Sequence, residues 1–331
     1  MRNPSKRIFA VVLTLLLLLP VFSFAANAVP LAAGGEALRA QWARAKGPEA
    51  GGYALEYSYF EPAAAKTQAL PLFVFMAGAG EGASAGKELT ANSFWRWSSE
   101  EYQSRVTNAG GAYLLILRAP EPVCFDTCPT SSMAAAVLDF AATHNVDRAR
   151  IYVSGWCIGA VGACRLVEDY PDTFAGLVCY SMRNVISEAD AGKMKNTAVW
   201  LLGSTSDSYS TYGLYTSPSW ANVRAALPAS QVRLTSCSAA PKAGLLFNHQ
   251  LWRLGEHDYE ADVFGDYENL STVDGAGNTV ENPEFIAWLT SHALPASSSP
   301  AEKPSGRSGG FFASIVSFFK RILNFFSRLF G

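Results

Sequence analysis

The reactive chemistry of this chain is concentrated in the run Ile151-Tyr152-Val153-Ser154-Gly155-Trp156-Cys157-Ile158-Gly159-Ala160. An apolar strand leads into Gly-x-Cys-x-Gly, and a small-residue helix start follows. A nucleophile held at a tight strand-to-helix turn needs small flanking residues, because bulky ones would collide with the strand and the helix. The helix that follows aims its amino terminus at the thiol, which favours the thiolate. In that geometry the Ile158 amide faces a developing oxyanion. The pattern predicts Cys157 as a nucleophile. The competing readings are a buried structural cysteine in an ordinary turn and Ser154 as a hydroxyl nucleophile, although Ser154 falls at the strand end and not at the apex.

Such a turn needs a framework. Residues 53–60, 72–76, 113–117, 151–153, 177–180 and 199–202 are apolar or β-rich runs that read as strands, mostly buried on both faces. Residues 98–108, 131–144, 159–169 and 218–227 read as helices between them, with Thr130 or Ser131 capping the second. Alternation of this kind predicts an α/β chain with a mostly parallel central sheet and helices on both faces. A late strand is expected at 245–254 and a closing helix at 283–292.

The segment Val146 to Val153 leading into the Gly-x-nucleophile-x-Gly turn resembles the polyhydroxybutyrate-depolymerase and feruloyl-esterase group of α/β-hydrolases. Tyr170-Pro171-Asp172-Thr173-Phe174-Ala175 after the helix adds to the resemblance, as does the strand Leu72 to Met76 running into Ala77-Gly78-Ala79-Gly80. It covers roughly residues 53–292 and implies the α/β-hydrolase fold. The chain departs from that group in two places. Cys157 stands where those esterases usually carry Ser, and in this it is similar to dienelactone hydrolases and polyhydroxyalkanoate synthases. Ala77 stands where a His often precedes the oxyanion loop.

A triad requires a base for the thiol and an acid to orient the base. The chain has four histidines: His144, His249, His257 and His292. His144 precedes the elbow, against the expected order of nucleophile, acid and His, and His292 ends the last helix. His257, in the turn-like Leu254-Gly255-Glu256-His257-Asp258-Tyr259, is the preferred base, with His249 as its rival. Asp207, in the loop leaving strand 199–202, is the expected acid, and the resemblance points to the same place; Glu256 and Asp258 are rivals. The resemblance assigns the second oxyanion donor to the Ala79 amide. Phe94, Trp95, Trp97, Tyr209, Tyr212, Tyr215 and Trp220 fall near these loops, as cleft lining for an apolar or sugar group or as core packing.

Hydrophobic residues make up 49% and charged residues 16% of the 331, a globular composition, and a net charge of −2 gives no basic surface for nucleic acid. Neither cofactor nor metal is implied by any motif. Residues 1–28 have the positive start, apolar run and small-residue cleavage pattern of a secretory signal, with an uncleaved anchor as the alternative. Export, secreted or to the cell envelope, makes disulfides plausible, and Cys124 with Cys128 is the first pair expected. The hydrolase domain is expected at 29–294, a flexible linker at 295–310 and an amphipathic helix at 311–331. Ser314, Ser317, Arg321, Asn324 and Arg328 share one helical face opposite a Phe-rich one, which suits a membrane surface. The combined expectation is an exported acyl hydrolase acting on a small-molecule or polymer-linked ester or thioester, through a thioacyl intermediate. A non-catalytic binding protein on the same scaffold and a Cys-dependent acyltransferase are the alternatives.

Overall fold

The computed structural model describes residues 35–79, 89, 94–106, 109–238, 269–281 and 284–296. The export segment, the expected strand at 245–254, His249 and His257, nearly all of the linker and the carboxy-terminal helix lie outside the described residues.

Nine strands form one sheet: β1 Ala43–Lys46, β2 Glu56–Phe60, β3 Leu70–Met76, β4 Tyr113–Leu117, β5 Val146–Trp156, β6 Gly176–Tyr180, β7 Ala198–Ser204, β8 Val232–Cys237 and β9 Ser271–Asp274. Their spatial order is β1-β2-β4-β3-β5-β6-β7-β8-β9. Strands β3 to β8 run parallel, while β1, β2 and β9 close the two sides antiparallel. Every residue of β3, β4, β6 and β7 is buried, which is why these strands read as continuous apolar runs. The predicted mostly parallel sheet is present.

Helices cover both faces. The seven α-helices among the described residues are α1 Gly35–Arg39, α2 Glu100–Ser104, α3 Thr130–Thr143, α4 Ile158–Asp169, α5 Glu188–Ala191, α6 Thr216–Ala226 and α7 Phe285–Thr290. On one face Phe140 of α3 meets Tyr113 and Tyr57 edge-on. On the other, Phe73 stacks on Tyr152 and meets Trp97, which in turn meets Phe285 of α7. The alternation of side chains along each strand sorts these aromatics to opposite faces.

Several boundaries differ from the sequence reading. The expected helix 98–108 is a 3-10 turn at Phe94–Ser98 followed by α2, capped by the Ser99 hydroxyl accepting from the Tyr102 amide. Helix α3 begins after Pro129 with no side-chain cap; the Thr130 hydroxyl instead donates to Asp169 Oδ2 at 2.6 Å, tying α3 to α4. Strand β5 extends well beyond residues 151–153 in both directions. Strands β1, β8 and β9 carry no continuous apolar run and were not expected.

Chain connectivity sets the site. From β3 the chain passes to β4 on one side, then crosses to β5 on the other side of β3. That reversal opens a crevice at the carboxyl ends of β3 and β5, where ligands of open α/β sheets bind.

Candidate active site

Cys157 stands at the end of β5, at the crevice. Its backbone has φ 56° and ψ −118°, a left-handed conformation that a side chain rarely adopts. It leads directly into α4, so the Ile158 amide opens that helix. Such strain costs about 1–3 kcal/mol and persists only where neighbours over-determine it. The neighbours here are the two glycines. A Cβ on Gly155 would run into the Gly159 carbonyl and lie 2.6 Å from Ala160 N, and a Cβ on Gly159 would run into the Met76 and Ala77 carbonyls. Glycine at both positions lets α4 press against the ends of β3 and β5, and that pressure holds the bend. The Cys157 amide donates to the Tyr180 carbonyl at 2.9 Å, fixing the apex to β6. The thiol is buried, at 7% exposure.

Ser154, the rival nucleophile, lies within β5 and donates to the Val74 carbonyl at 3.1 Å. It holds strands together and does not reach the apex.

The loop after β3 passes over the elbow. Gly78 packs so closely that a Cβ there would lie 2.6 Å from the Trp156 ring. Because Met76 pairs with Gly155, Ala77 to Ala79 leave the sheet beside Trp156 and Cys157. The Ala79 region and the Ile158 amide are thus on the same crevice.

Asp207 lies just beyond β7, also at the carboxyl edge, and is only 4% exposed. Its Oδ1 accepts from the amides of Tyr209 at 2.8 Å and Ser210 at 2.9 Å. The loop is anchored on both sides: Thr205 N donates to the Cys237 carbonyl at 2.9 Å, and the Ser210 hydroxyl donates to the Ser181 carbonyl at 2.6 Å. Backbone amides thus hold a buried carboxylate in place at the strand end.

His144 and His292 belong to the other end of the sheet. The His144 amide donates to Phe140 O, its ring stacks on Phe140 at 3.9 Å, and β5 begins two residues later. His292 accepts from the Tyr152 hydroxyl through its carbonyl and leads to Leu294, whose amide donates to Ala149 in the first half of β5. Each has Nδ1 near a carbonyl of its own helix, Phe140 O at 3.0 Å and Trp288 O at 2.8 Å.

The expected Cys124–Cys128 bond is not formed; both are free thiols. They are joined instead by a backbone turn, Cys128 N to Cys124 O at 2.7 Å, while Cys128 Sγ turns toward the Pro129 carbonyl. Burial raises both thiols above the ordinary range, Cys128 to about 11. Burial also raises Cys164 and Cys179, and takes Cys237 up to about 12. Phe94, Trp95 and Trp97 are 2–4% exposed and pack in the core, so they do not line a cleft. Tyr209 and Leu214, at 40% and 63%, are the exposed large hydrophobic residues among the described ones, and both lie on the loop that carries Asp207. Among the described residues no group of three or more His, Cys, Asp and Glu could hold a metal ion.

Sheet order, crevice and strained elbow together define the α/β-hydrolase fold. A solved thermostable esterase is similar, at 17% identity with a TM-score of 0.59 over 70% of this chain and 64% of its own. An acylaminoacyl peptidase from Pyrococcus horikoshii matches at 12% identity and a TM-score of 0.47, over 68% of this chain and 41% of its own. The chain thus spans under two thirds of the length of either. A protein described as a putative dienelactone hydrolase from Klebsiella pneumoniae matches at 13% identity and 0.45, over 69% of this chain and 92% of its own. No protein-family model matches the sequence, and no curated protein does. The expected α/β-hydrolase fold is borne out.

Proposed function

We propose that the protein is an exported acyl hydrolase that cleaves esters or thioesters through a Cys157-His257-Asp207 triad. The observation that carries this reading is the left-handed backbone of Cys157 between two glycines at the switch point of the sheet. In the first step the imidazole takes the thiol proton and Sγ attacks the acyl carbon. The amides of Ile158 and Ala79 stabilise the oxyanion. The tetrahedral species collapses, the acyl–oxygen or acyl–sulfur bond breaks, and the imidazolium returns its proton to the leaving group. Water, deprotonated by the same imidazole, then hydrolyses the thioacyl enzyme.

The base is assigned by elimination together with topology. His144 and His292 are engaged at the far end of the sheet. The connection that contains His249 and His257 leaves β8 at Ser238 and returns to β9 at Asn269. Those two residues are hydrogen-bonded at 2.9 Å at the carboxyl edge. His257 remains preferred because it follows the apolar stretch that contains His249. The exposed Tyr209 and Leu214 favour a substrate with an apolar acyl or alcohol portion.

The test is hydrolysis of p-nitrophenyl esters of increasing acyl length, coupled to mass-spectrometric trapping of an acyl adduct. The wild-type chain should turn over and carry the adduct on Cys157, and Cys157→Ala should lose at least ~10³-fold in kcat. Turnover that persists in Cys157→Ala rejects the triad. The Phe-rich segment 311–331 is proposed to lie on anionic membranes. The full chain should co-sediment with vesicles containing phosphatidylglycerol, and a chain ending at residue 310 should not.

A further inference from the structure

Ser181 repeats, one strand along, the position that Cys157 holds. Trp156 and Tyr180 are the last paired residues of β5 and β6, and Tyr180 and Leu202 the last paired residues of β6 and β7. Cys157 follows the first pair and donates its amide to Tyr180 O. Ser181 follows the second and donates its amide to Leu202 O at 2.9 Å. The two residues therefore stand side by side on neighbouring strands, which are spaced about 4.8 Å apart. Both leave the sheet with positive φ, 56° for Cys157 and 48° for Ser181.

Ser181 carries a second anomaly. It is fully buried, yet its hydroxyl has no hydrogen-bond partner among the described residues. A buried polar group without a partner is costly, and so is a left-handed backbone at a residue other than glycine. Both costs fall on one residue beside the reactive sulfur. Its backbone is fully used: the amide holds β7, and the carbonyl accepts from Ser210, whose own amide holds Asp207. Only the hydroxyl is left for another role.

We propose that Ser181 is a positioning residue whose hydroxyl donates a hydrogen bond to the Cys157 thiolate. This rests on the reading of Cys157 as nucleophile. The thiol proton leaves for the imidazole, and Ser181 Oγ–H turns toward the sulfur that has just become charged. No covalent bond changes at Ser181. The charge that the hydroxyl serves exists only once the thiol ionises, which fits its having no partner among the described residues. Helix α4 adds no acidic residue in its first turn. Among the described residues, the charged groups on segments leaving this edge include Asp207, Arg183 and Glu188 after β6, Glu121 and Asp126 after β4, and Arg118, which is paired with Glu56.

The test is the pH dependence of alkylation of Cys157 by iodoacetamide in the full chain, read on the Cys157 peptide. The other five thiols are raised by burial, and Cys157→Ala sets their background. Ser181→Ala should move the alkylation midpoint up by about one pH unit. The acid limb of kcat/KM should move with it. Ser181→Gly, which tolerates the positive φ, should give the same shift and guards against a fold defect in the alanine variant. Ser210→Ala removes the brace on the Ser181 carbonyl but leaves the Ser181 hydroxyl in place, so the midpoint should hold. A midpoint unmoved in both folded Ser181 variants, or moved equally by Ser210→Ala, overturns the assignment. If wild-type Cys157 reacts no faster than background, the nucleophile reading itself falls, which is a separate result.

Discussion

At the amino end of the sheet His144 stacks on Phe140, with Tyr59 and Tyr113 at its edge, and sets Nδ1 against a helix carbonyl. His292 packs tilted against Trp288 and likewise sets Nδ1 near a helix carbonyl. A cavity of about 160 Å³ opens there between Leu138, Arg148, Asp172 and Leu294. Yet Asp172 already accepts from Asn196 at 2.7 Å. The carboxyl end is built differently. Cys157 and Ser181 sit in strained backbone, the Ser181 hydroxyl is buried without a partner among the described residues, and Asp207 is buried under a braced loop. The contrast shows that residue type alone does not mark a site. The two histidines and Asp172 at one end are engaged in holding the fold, while at the other Ser181 and Asp207 are buried beside a strained elbow.

The comparison can be broken most sharply at Gly159. Gly159→Ala would push a methyl into the Met76 and Ala77 carbonyls. It should cost about 3 kcal/mol or more and abolish activity, as measured by thermal melting and ester hydrolysis. Gly213, on the loop that carries Asp207, has open space around it, so Gly213→Ala should stay within ~0.5 kcal/mol. Equal losses would mean that close packing at the elbow does not distinguish that end.

The histidines give the next largest effect. His257→Ala should lower kcat by ~10³-fold or more with little change in melting. His144→Ala and His292→Ala should each cost about 1–2 kcal/mol in stability from lost stacking and hydrogen bonding. Both should leave kcat within a factor of two or three. Loss of kcat in His144→Ala would erase the division between the two ends.

A smaller effect lies in α4, which starts at the elbow and ends near the amino edge. Burial raises the Glu168 carboxyl, while the Cys164 thiol donating to it at 3.0 Å and the Lys193 charge both pull the other way. With the folded-state value above the unfolded one, stability falls as pH rises from the ordinary Glu range through the raised value. Glu168→Gln should therefore melt higher than wild type above that window, and the gain should vanish toward pH 4. A pH-independent difference would show that burial of the charge is not the cause.

The elbow was legible because its two glycines are required by backbone contacts that leave no room for a side chain, so the constraint is written in residue type. The core strands were legible because burial on both faces forces unbroken apolar runs. Strand β8 was not: Val232-Arg233-Leu234-Thr235-Ser236-Cys237 keeps Arg233 between the Trp200 and Trp288 rings, a contact that local pattern cannot announce. Strand β1 is exposed throughout, with Arg44 and Lys46 on an outer edge, and its sequence carries no apolar signal. Phe94, Trp95 and Trp97 looked equally suited to a cleft or a core, since composition does not say which way a ring turns. Ser181 gave no signal at all, because its interest comes from standing beside residue 157 after folding. The place of Asp207, buried one loop beyond an apolar strand, could be read from that strand's unbroken apolar run.

The hydrogen bond from Asn269 to Ser238 closes the neck of the connection between β8 and β9. Because the two ends are already joined where the sheet stops, lengthening or shortening the intervening chain adds only a slowly growing entropic term. Changes of length in that stretch that keep His249 and His257 should therefore leave the register of β8 and β9 undisturbed.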